Sequence, residues 1–216
     1  MDPSGPSSVR GDSALRRSVD IVVSSVALIA LLPIFLLTFA AIRGESHGPA
    51  LFWQQRIGRG RRPFWMVKFR SMVAARPGGA STISGKRDAR ITRVGAVIRA
   101  TKIDELPQLW NVLKGDLTLI GPRAEVPHLV RYFTDAELRT LDVRPGLASR
   151  GALYFTTHQS AVLDDHADPE RYYIEHQLHP KLALELEYLR RRRLVDDLGI
   201  VLDTVRVMLT GLVGRA

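Results

Sequence analysis

The chain is 216 residues long, 45% hydrophobic and 25% charged, which is enough apolar material for one ordinary domain with a core and excludes a disordered chain. It has no cysteine, so disulfides, thiolate catalysis and cysteine-ligated zinc are excluded. The formal net charge of +9 is uneven, with +11 in residues 1–100 and −2 in residues 101–216. A basic half that also holds the long apolar run suits an anionic membrane face or phosphate-bearing substrates, and by charge alone it suits nucleic acid equally.

Residues 1–15 are rich in Ser, Gly, Pro and Asp and read as a disordered tail. From Ile21 to Ile42 no residue is charged. About 22 residues at ~1.5 Å each reach roughly 33 Å, the thickness of a hydrocarbon core. A cleavable signal peptide would have a shorter apolar region and a small-residue cleavage site, and Arg43 at the end of the run fits it poorly. Pro33, near the middle, removes a helical hydrogen bond and crowds the preceding turn, so a break is expected there. Two readings follow: a kinked spanning helix, or a helix-break-helix hairpin that dips in and returns. Arg16 and Arg17 before the run and Arg43 after it favour the second, because both ends then prefer the same face. The segment 16–43 is therefore expected to be a re-entrant hairpin, and 44–216 a separate domain.

In that domain, residues 51–55 and 64–69 read as strands joined by a turn over 58–62, a β-hairpin. Residues 74–88 look like a flexible loop. A short apolar run at 117–120 ends in the turn Gly121-Pro122, residues 134–142 look helical, and 156–170 look like a polar loop. Residues 181–193 are strongly helix-forming. Beyond them Leu194, Leu198, Val201, Val205, Met208 and Leu212 recur at steps of four and three, one apolar stripe on a helix. Core packing is the ordinary meaning of such a stripe; the Arg190–Arg193 run before it supports a helix lying in a membrane interface instead.

The stretch from Ile98 to Asp116 is the most informative. If Asp104 is an N-cap, Pro107 falls in a first helical turn where its missing N–H costs nothing. Leu106, Leu109, Trp110 and Leu113 then form an apolar face and Gly115 stops the helix. Asp104 and Glu105 are expected at the mouth of that helix, where free N–H groups favour an anion. Taken alone this is an ordinary helix start. Arg90, Arg93, Arg99 and Lys102 just before it, and Arg123 after the next turn, make it look like a phosphate cradle around a carboxylate nucleophile and a metal.

Four stretches in order resemble the bacterial sugar transferase family, the monotopic polyprenyl-phosphate phosphoglycosyl transferases. They are Gly48-Pro-Ala-Leu-Phe-Trp-Gln-Gln-Arg-Ile-Gly58; Lys68-Phe-Arg-Ser-Met72; Ile91-Thr-Arg-Val-Gly95 running on to Asp104-Glu-Leu-Pro-Gln-Leu-Trp-Asn-Val-Leu-Lys-Gly-Asp116; and Gly121-Pro-Arg123. Val143-Arg-Pro-Gly146 looks like a fifth landmark, so the likeness spans roughly residues 16–146. The resemblance implies an α-rich α+β fold: a re-entrant hairpin, then a small cytoplasmic catalytic domain with a β-hairpin and interfacial amphipathic helices, at the inner membrane. It implies that Asp104 and Glu105 work with Mg2+ and that Asp104 attacks the sugar-bearing phosphorus of a UDP-sugar. UMP would leave, and polyprenyl (undecaprenyl) phosphate would take the phosphosugar from the aspartate, an initiating step of exopolysaccharide or glycoconjugate assembly.

The residues make physical sense of that chemistry. A carboxylate can be a covalent nucleophile, and magnesium with arginines offsets diphosphate charge. Glu105 either helps bind the metal or takes a proton. Lys68, Arg70, Arg99 and Arg123 are the phosphate-binding candidates, with an exposed strand face as the ordinary alternative for Lys68 and Arg70. The chain departs from the family at Leu32 before Pro33, often a serine, and at 147–155, where Thr-Gly usually follows Pro145-Gly146 and where the sugar pocket is expected. The short stretch before Arg16 suggests a minimal catalytic form. His158, His166, His176 and His179 lack the spacing of a zinc-protease helix and read as solvated, and Asp164, Asp165 and Asp168 as turn residues. Two other classes compete: a membrane-tethered nucleic-acid-binding protein, for which no motif is present, and an inactive scaffold, against which the Asp104-Glu105 pair argues. No nucleic acid partner is expected.

Overall fold

The computed structural model describes residues 12–73, 88–158, 166 and 168–213, of which 156–158 and 208–213 are described as backbone only. The chain opens with α1 (Ala14–Ala30), whose N-cap Ser13 accepts the Arg16 N–H at 3.2 Å. Leu31 closes α1 and opens α2 (Leu32–Glu45), and the two helices are bent by 59°. Pro33 lies in the first turn of α2, so the break expected there is present, and it sits where a proline needs no N–H. No single described helix is long and apolar enough to cross a membrane; this bent pair reaches that length and apolarity only together.

Both ends of the pair dock on the same body. At the start, the Arg17 guanidinium donates to the Val112 and Leu113 carbonyls at 2.6 and 2.7 Å, and the Asp20 carboxylate accepts from Thr118 Oγ1 and Leu119 N at 3.1 and 3.0 Å. At the far end, Ile42 packs with Ala50, Phe69 and Ile98, and Glu45 accepts the Arg93 and Val94 N–H groups at 2.8 and 3.0 Å. Between these anchors the apolar side chains face outward: Val22, Ile29 and Leu37 are 61%, 76% and 72% exposed.

The expected hairpin is β1 (Leu51–Ile57) and β2 (Pro63–Phe69), longer than foreseen, paired antiparallel from Leu51↔Phe69 to Ile57↔Pro63. Its turn carries Gly60 and Arg61 at φ 67° and 62°. The free side of β2 rests on α4 (Gln108–Lys114) through one side chain. Asn111, 1% exposed, accepts the Val67 N–H at 3.0 Å and donates to the Trp65 carbonyl at 2.8 Å and Asp116 Oδ2 at 3.1 Å. Between them in sequence comes α3 (Arg93–Ala100), capped by Thr92. Gly95 lets α3 approach the chain after β2: a Cβ there would lie 2.0 Å from the Ser71 carbonyl oxygen.

A second, unforeseen sheet follows. The apolar run is β3 (Thr118–Ile120), and it pairs in parallel with β4 (Gly146–Ala148). Gly121 and Gly146 make this crossing possible, since a Cβ on Gly146 would lie 2.1 Å from Gly121 N. Between these strands lie the single turn α5 (Pro127–Val130) and a 3-10 stretch, Glu137–Asp142, where a longer helix was expected.

The rest is helical: α6 (Arg150–His158), α7 (Pro169–Tyr172), a π-helical step Tyr173–Gln177, α8 (Leu178–Arg191) and α9 (Leu194–Val213). The polar loop therefore begins later than its composition suggested, because 156–158 continue α6; residues 159–165 and 167, like 74–87 of the earlier loop, lie outside the described residues. Most of the expected tail, 1–11, lies outside them too, while Asp12 pairs with Arg144 and Arg192. On α9 the apolar stripe does not pack into the core. Leu194, Leu198, Val201 and Val205 are exposed, and Ile200 instead is buried against Tyr188 and Leu189. The side chains of Met208 and Leu212 are outside the described set.

Replacing Asn111 by Leu leaves the inward N–H of Val67 and carbonyl of Trp65 buried without partners. The expected loss is about 2–4 kcal/mol, read by denaturant unfolding in detergent.

Candidate functional site

The site is assembled at the end of α3. Thr101 caps the helix and Lys102 takes the left-handed conformation, φ 59°, which a non-glycine residue adopts at a cost. The reversal starts a separate 3-10 turn, Ile103–Glu105. Asp104 is thus not the N-cap of α4: Pro107 holds that position and the acidic pair lies one turn upstream. The 3-10 geometry carries on through the Leu109 N–H to Leu106 and Trp110 N–H to Pro107 bonds, which lets Pro107 sit at the junction. The face of α4 also differs from expectation. Gln108, Leu109, Asn111 and Val112 are buried and Trp110 is exposed, because the hydrogen-bonding needs of β2 turn Asn111 inward.

Asp104 is 8% exposed and its Oδ1 has no hydrogen-bond partner. Burial, then the neighbouring Glu105 charge, raise its pKa to about 6, against the pull of Lys102, Lys68 and Arg99. Glu105 behaves in the opposite way. Burial would raise it, but Arg123 and Lys102 outweigh that and hold it at about 2. Arg123 grips it with both arms, Nη1 to Oε2 and Nη2 to Oε1, each at 3.0 Å, and its Nη1 also donates to the Leu147 carbonyl at 3.2 Å. Lys102 Nζ is 3.8 Å from the same carboxylate. The Glu105 charge also raises the Arg123 pKa.

Of the predicted cations, Lys68, Arg99 and Arg123 act electrostatically on this pair and Arg70 does not join it. Lys68 lies 5.3 Å from the Phe52 ring centre; burial, then the Arg56 charge, lower its pKa to about 8, against the two acids. Arg99, in the last turn of α3, stabilises the Asp104 charge. Arg70 points elsewhere because it lies just past the end of β2, where the chain leaves the strand and turns it to the α2–β1 connection. There it donates to the His47 carbonyl at 2.5 Å and to the Ser46 carbonyl and hydroxyl at 2.9 Å. Arg90 is paired with Asp88.

A second charged layer, missed from sequence, lies behind Arg123. Glu125 accepts the Tyr173 hydroxyl at 2.9 Å, is bonded by the Lys181 ammonium and has Arg56 Nη1 at 3.6 Å. Glu185, 1% exposed, accepts the Arg123 N–H at 3.4 Å and the Gly151 N–H at 3.2 Å. One signal was available in the sequence: Leu178, Leu182, Glu185 and Leu189 share a helical face, so a charge falls within a buried stripe. Of the histidines singled out, His179 pairs with Glu137, and His166 and His176 each stack on Tyr172; the side chain of His158 lies outside the described residues. Asp168 caps α7, a turn role as expected.

For a metal ion, the described residues offer no cluster of three acidic or histidine ligands. They do offer one unpartnered Asp104 oxygen beside a second carboxylate. That donor set fits magnesium, which takes one or two carboxylates and fills its shell with water and substrate phosphates.

The site thus presents a buried Asp104 oxygen without a partner, under the charges of Lys102, Lys68 and Arg99. The chain belongs to the bacterial sugar transferase family, whose sequence profile matches residues 11–211. It is similar to a UDP-N-acetylgalactosamine-undecaprenyl-phosphate N-acetylgalactosaminephosphotransferase of Aeromonas hydrophila, 38% identical over 93% of this chain and 45% of the relative. It is similar to a UDP-glucose:undecaprenyl-phosphate glucose-1-phosphate transferase of Caulobacter vibrioides, 35% identical over 97% of this chain and 75% of the relative. A Klebsiella pneumoniae protein of the latter description is 31% identical over 88% of this chain and 39% of the relative. The chain thus spans less than half the length of two of these three.

The raised pKa of Asp104 has a stability consequence with a definite sign. Between its ordinary 3.8 and about 6 the folded state holds more proton than the unfolded, so stability falls as pH rises through that window and stays lower above it. Asp104→Asn removes this cost. It is expected to stabilise the fold by about 2–3 kcal/mol near neutral pH and by close to nothing at about pH 4, measured by denaturation at both.

Proposed function

We propose that the chain transfers a sugar 1-phosphate from a UDP-sugar to undecaprenyl phosphate, releasing UMP, as the first membrane step of exopolysaccharide or glycoconjugate assembly. The observation that carries this reading is the split within one acidic pair: Asp104 keeps a free carboxylate oxygen among cations while Glu105 is locked by Arg123. The names of the relatives support the same substrates.

In the first step an Asp104 carboxylate oxygen attacks the phosphorus that bears the sugar. The bond from that phosphorus to the bridging oxygen breaks, UMP leaves with the electron pair, and an aspartyl-phosphosugar remains. In the second step an oxygen of the lipid phosphate attacks the same phosphorus and the Asp104 carboxylate departs, giving polyprenyl diphosphate-sugar. Lys68 and Arg99 lie where they can offset phosphate charge, and Lys102 and Arg123 hold Glu105 ionised beside the reacting group. Magnesium, when bound by Asp104 and Glu105, supplies charge compensation on the diphosphate. Arg70 is assigned to holding the α2–β1 connection and not to substrate.

The lipid acceptor requires a membrane surface. The 16–43 segment is assigned as a re-entrant hairpin, supported by the outward apolar side chains of α1 and α2 and by the docking of both their ends on one domain. The exposed stripe of α9, preceded by Arg190–Arg193, suits the headgroup interface. In this reading the domain works on the cytoplasmic face of the inner membrane, where UDP-sugars are made.

The test is nucleotide release from protein in detergent or membrane discs with undecaprenyl phosphate, magnesium and a panel of UDP-sugars. UMP, and not UDP, is expected, and only with the lipid acceptor and a matching sugar. Asp104→Asn is expected to lower the rate at least ~1000-fold, as loss of a covalent nucleophile does. In the wild type the rate should fall about tenfold per pH unit below about 6, as Asp104 takes up its proton. UDP as product would place the reaction at the sugar carbon and refute the phosphorus mechanism.

A further inference from the structure

Glu185 is a buried acid that the proposed chemistry does not use. It sits on α8 between Leu182 and Leu189, which are 2% and 0% exposed, so the helix face that carries it is fixed by packing. One turn earlier Lys181 is bonded to Glu125. From this platform a single oxygen, Oε1, accepts N–H groups from two separate segments: Arg123 at 3.4 Å and Gly151 at 3.2 Å, with the Ser149 side chain also bonding the carboxylate. The other oxygen, Oε2, is buried without a partner. Burying a carboxylate in this way is costly, and a purely packing residue at this point of the stripe would be apolar.

The two segments that Glu185 joins are the ones that aim the Arg123 guanidinium. One is the backbone from which the Arg123 side chain departs. The other runs from β4 into α6, and its Leu147 carbonyl receives Nη1 at 3.2 Å. The main chains of the two already meet, with Arg123 bridged to Gly146. There is no slack at the junction: a Cβ on Gly151 would lie 2.8 Å from Glu185 Oε1. With its base and its second acceptor both fixed, the guanidinium can reach both Glu105 oxygens at 3.0 Å.

We propose that Glu185 is a positioning residue that sets the Arg123 clamp on Glu105 by tying residues 121–123 to the start of α6. The inference rests on the transferase reading for its kinetic arm and on geometry alone for its spectroscopic arm.

The test compares Glu185→Met, Glu185→Gln and Glu185→Asp in the full chain in membrane discs. Glu185→Met fills the space without an acceptor and is expected to lower kcat about 10- to 100-fold with little change in KM. Glu185→Gln keeps an acceptor oxygen and is expected to restore kcat to within about threefold of wild type. Glu185→Asp keeps the carboxyl group but falls short by one carbon; it is expected to resemble Glu185→Met and takes its place should Glu185→Met fail to fold. In an Arg123→Ala background Glu185→Met is expected to cost less than about twofold more, since the residue acts through Arg123. Independently of activity, protein labelled with 15N-arginine should show hindered Arg123 Nη–H resonances in wild type and Glu185→Gln, lost in Glu185→Met. Wild-type kcat in Glu185→Met, a full additional loss in the Arg123→Ala background, or unchanged Arg123 resonances would each overturn the proposal. If wild type releases no nucleotide with any donor, the transferase reading fails and the resonances alone decide the role of Glu185.

Discussion

The two-armed contact between Arg123 and Glu105 is the constraint on which the rest of the site depends. It joins the turn after β3 to the 3-10 turn after α3, segments that no strand pairing brings together. It also fixes a charge. An ionised Glu105 next to Asp104 makes a second ionisation costly, and burial adds to that cost; Lys102, Lys68 and Arg99 limit it. Without the arginine the two neighbouring acids would share their protons, as close carboxylates do, and neither would have a defined state.

The same elements that hold this contact also receive the apolar helix pair. Arg17 caps the C-terminal carbonyls of α4, which directly follows the acidic turn. Asp20 bonds β3, which directly precedes the Arg123 turn. Glu45 bonds the first N–H groups of α3, which ends at Lys102. The pair therefore does not hang from the domain by a linker. Each of its ends is bonded to a segment one element away from the acids. This fixes the position of Asp104 relative to the bent helix pair.

Much of this was legible in the sequence because it is local. Pro33 announces the break, the strand-turn-strand pattern announces β1 and β2, and Gly115 at φ 97° ends α4 where a glycine stop was expected. What was not legible depends on non-local partners. Asp104 was placed at an N-cap on sound local grounds, but the left-handed Lys102 and the position of Pro107 moved the helix start downstream. Trp110 was assigned to the buried face on hydrophobicity, yet β2 needs hydrogen bonds on its free side and Asn111 takes the inward place. Arg70 was grouped with Lys68 by nearness in sequence, and the chain leaving the strand carries it to Ser46 and His47. Three-residue strands such as β3 and β4 have no periodicity to read. The α9 stripe was ambiguous from the start, since periodicity reports that a face is apolar and not what covers it.

The division of labour within the acidic pair follows from position and side-chain length together. Asp104 and Glu105 share one 3-10 turn and feel the charges of both Lys102 and Lys68. They differ in where the side chain goes. The longer Glu105 reaches Arg123 and is driven to about 2, so it stays ionised across the physiological range and acts as a fixed charge. The shorter Asp104 stops in the buried space with one oxygen unbonded and is driven to about 6. A carboxylate with so high a pKa holds its electrons more available to an electrophile than one at 3.8, while still being ionised at neutral pH. Exchanging the two residues would put the short side chain out of reach of the arginine and the long one past the free space. The order Asp-Glu is thus dictated by the distance to Arg123, which is in turn set by where β3 ends and by what holds the turn that follows it.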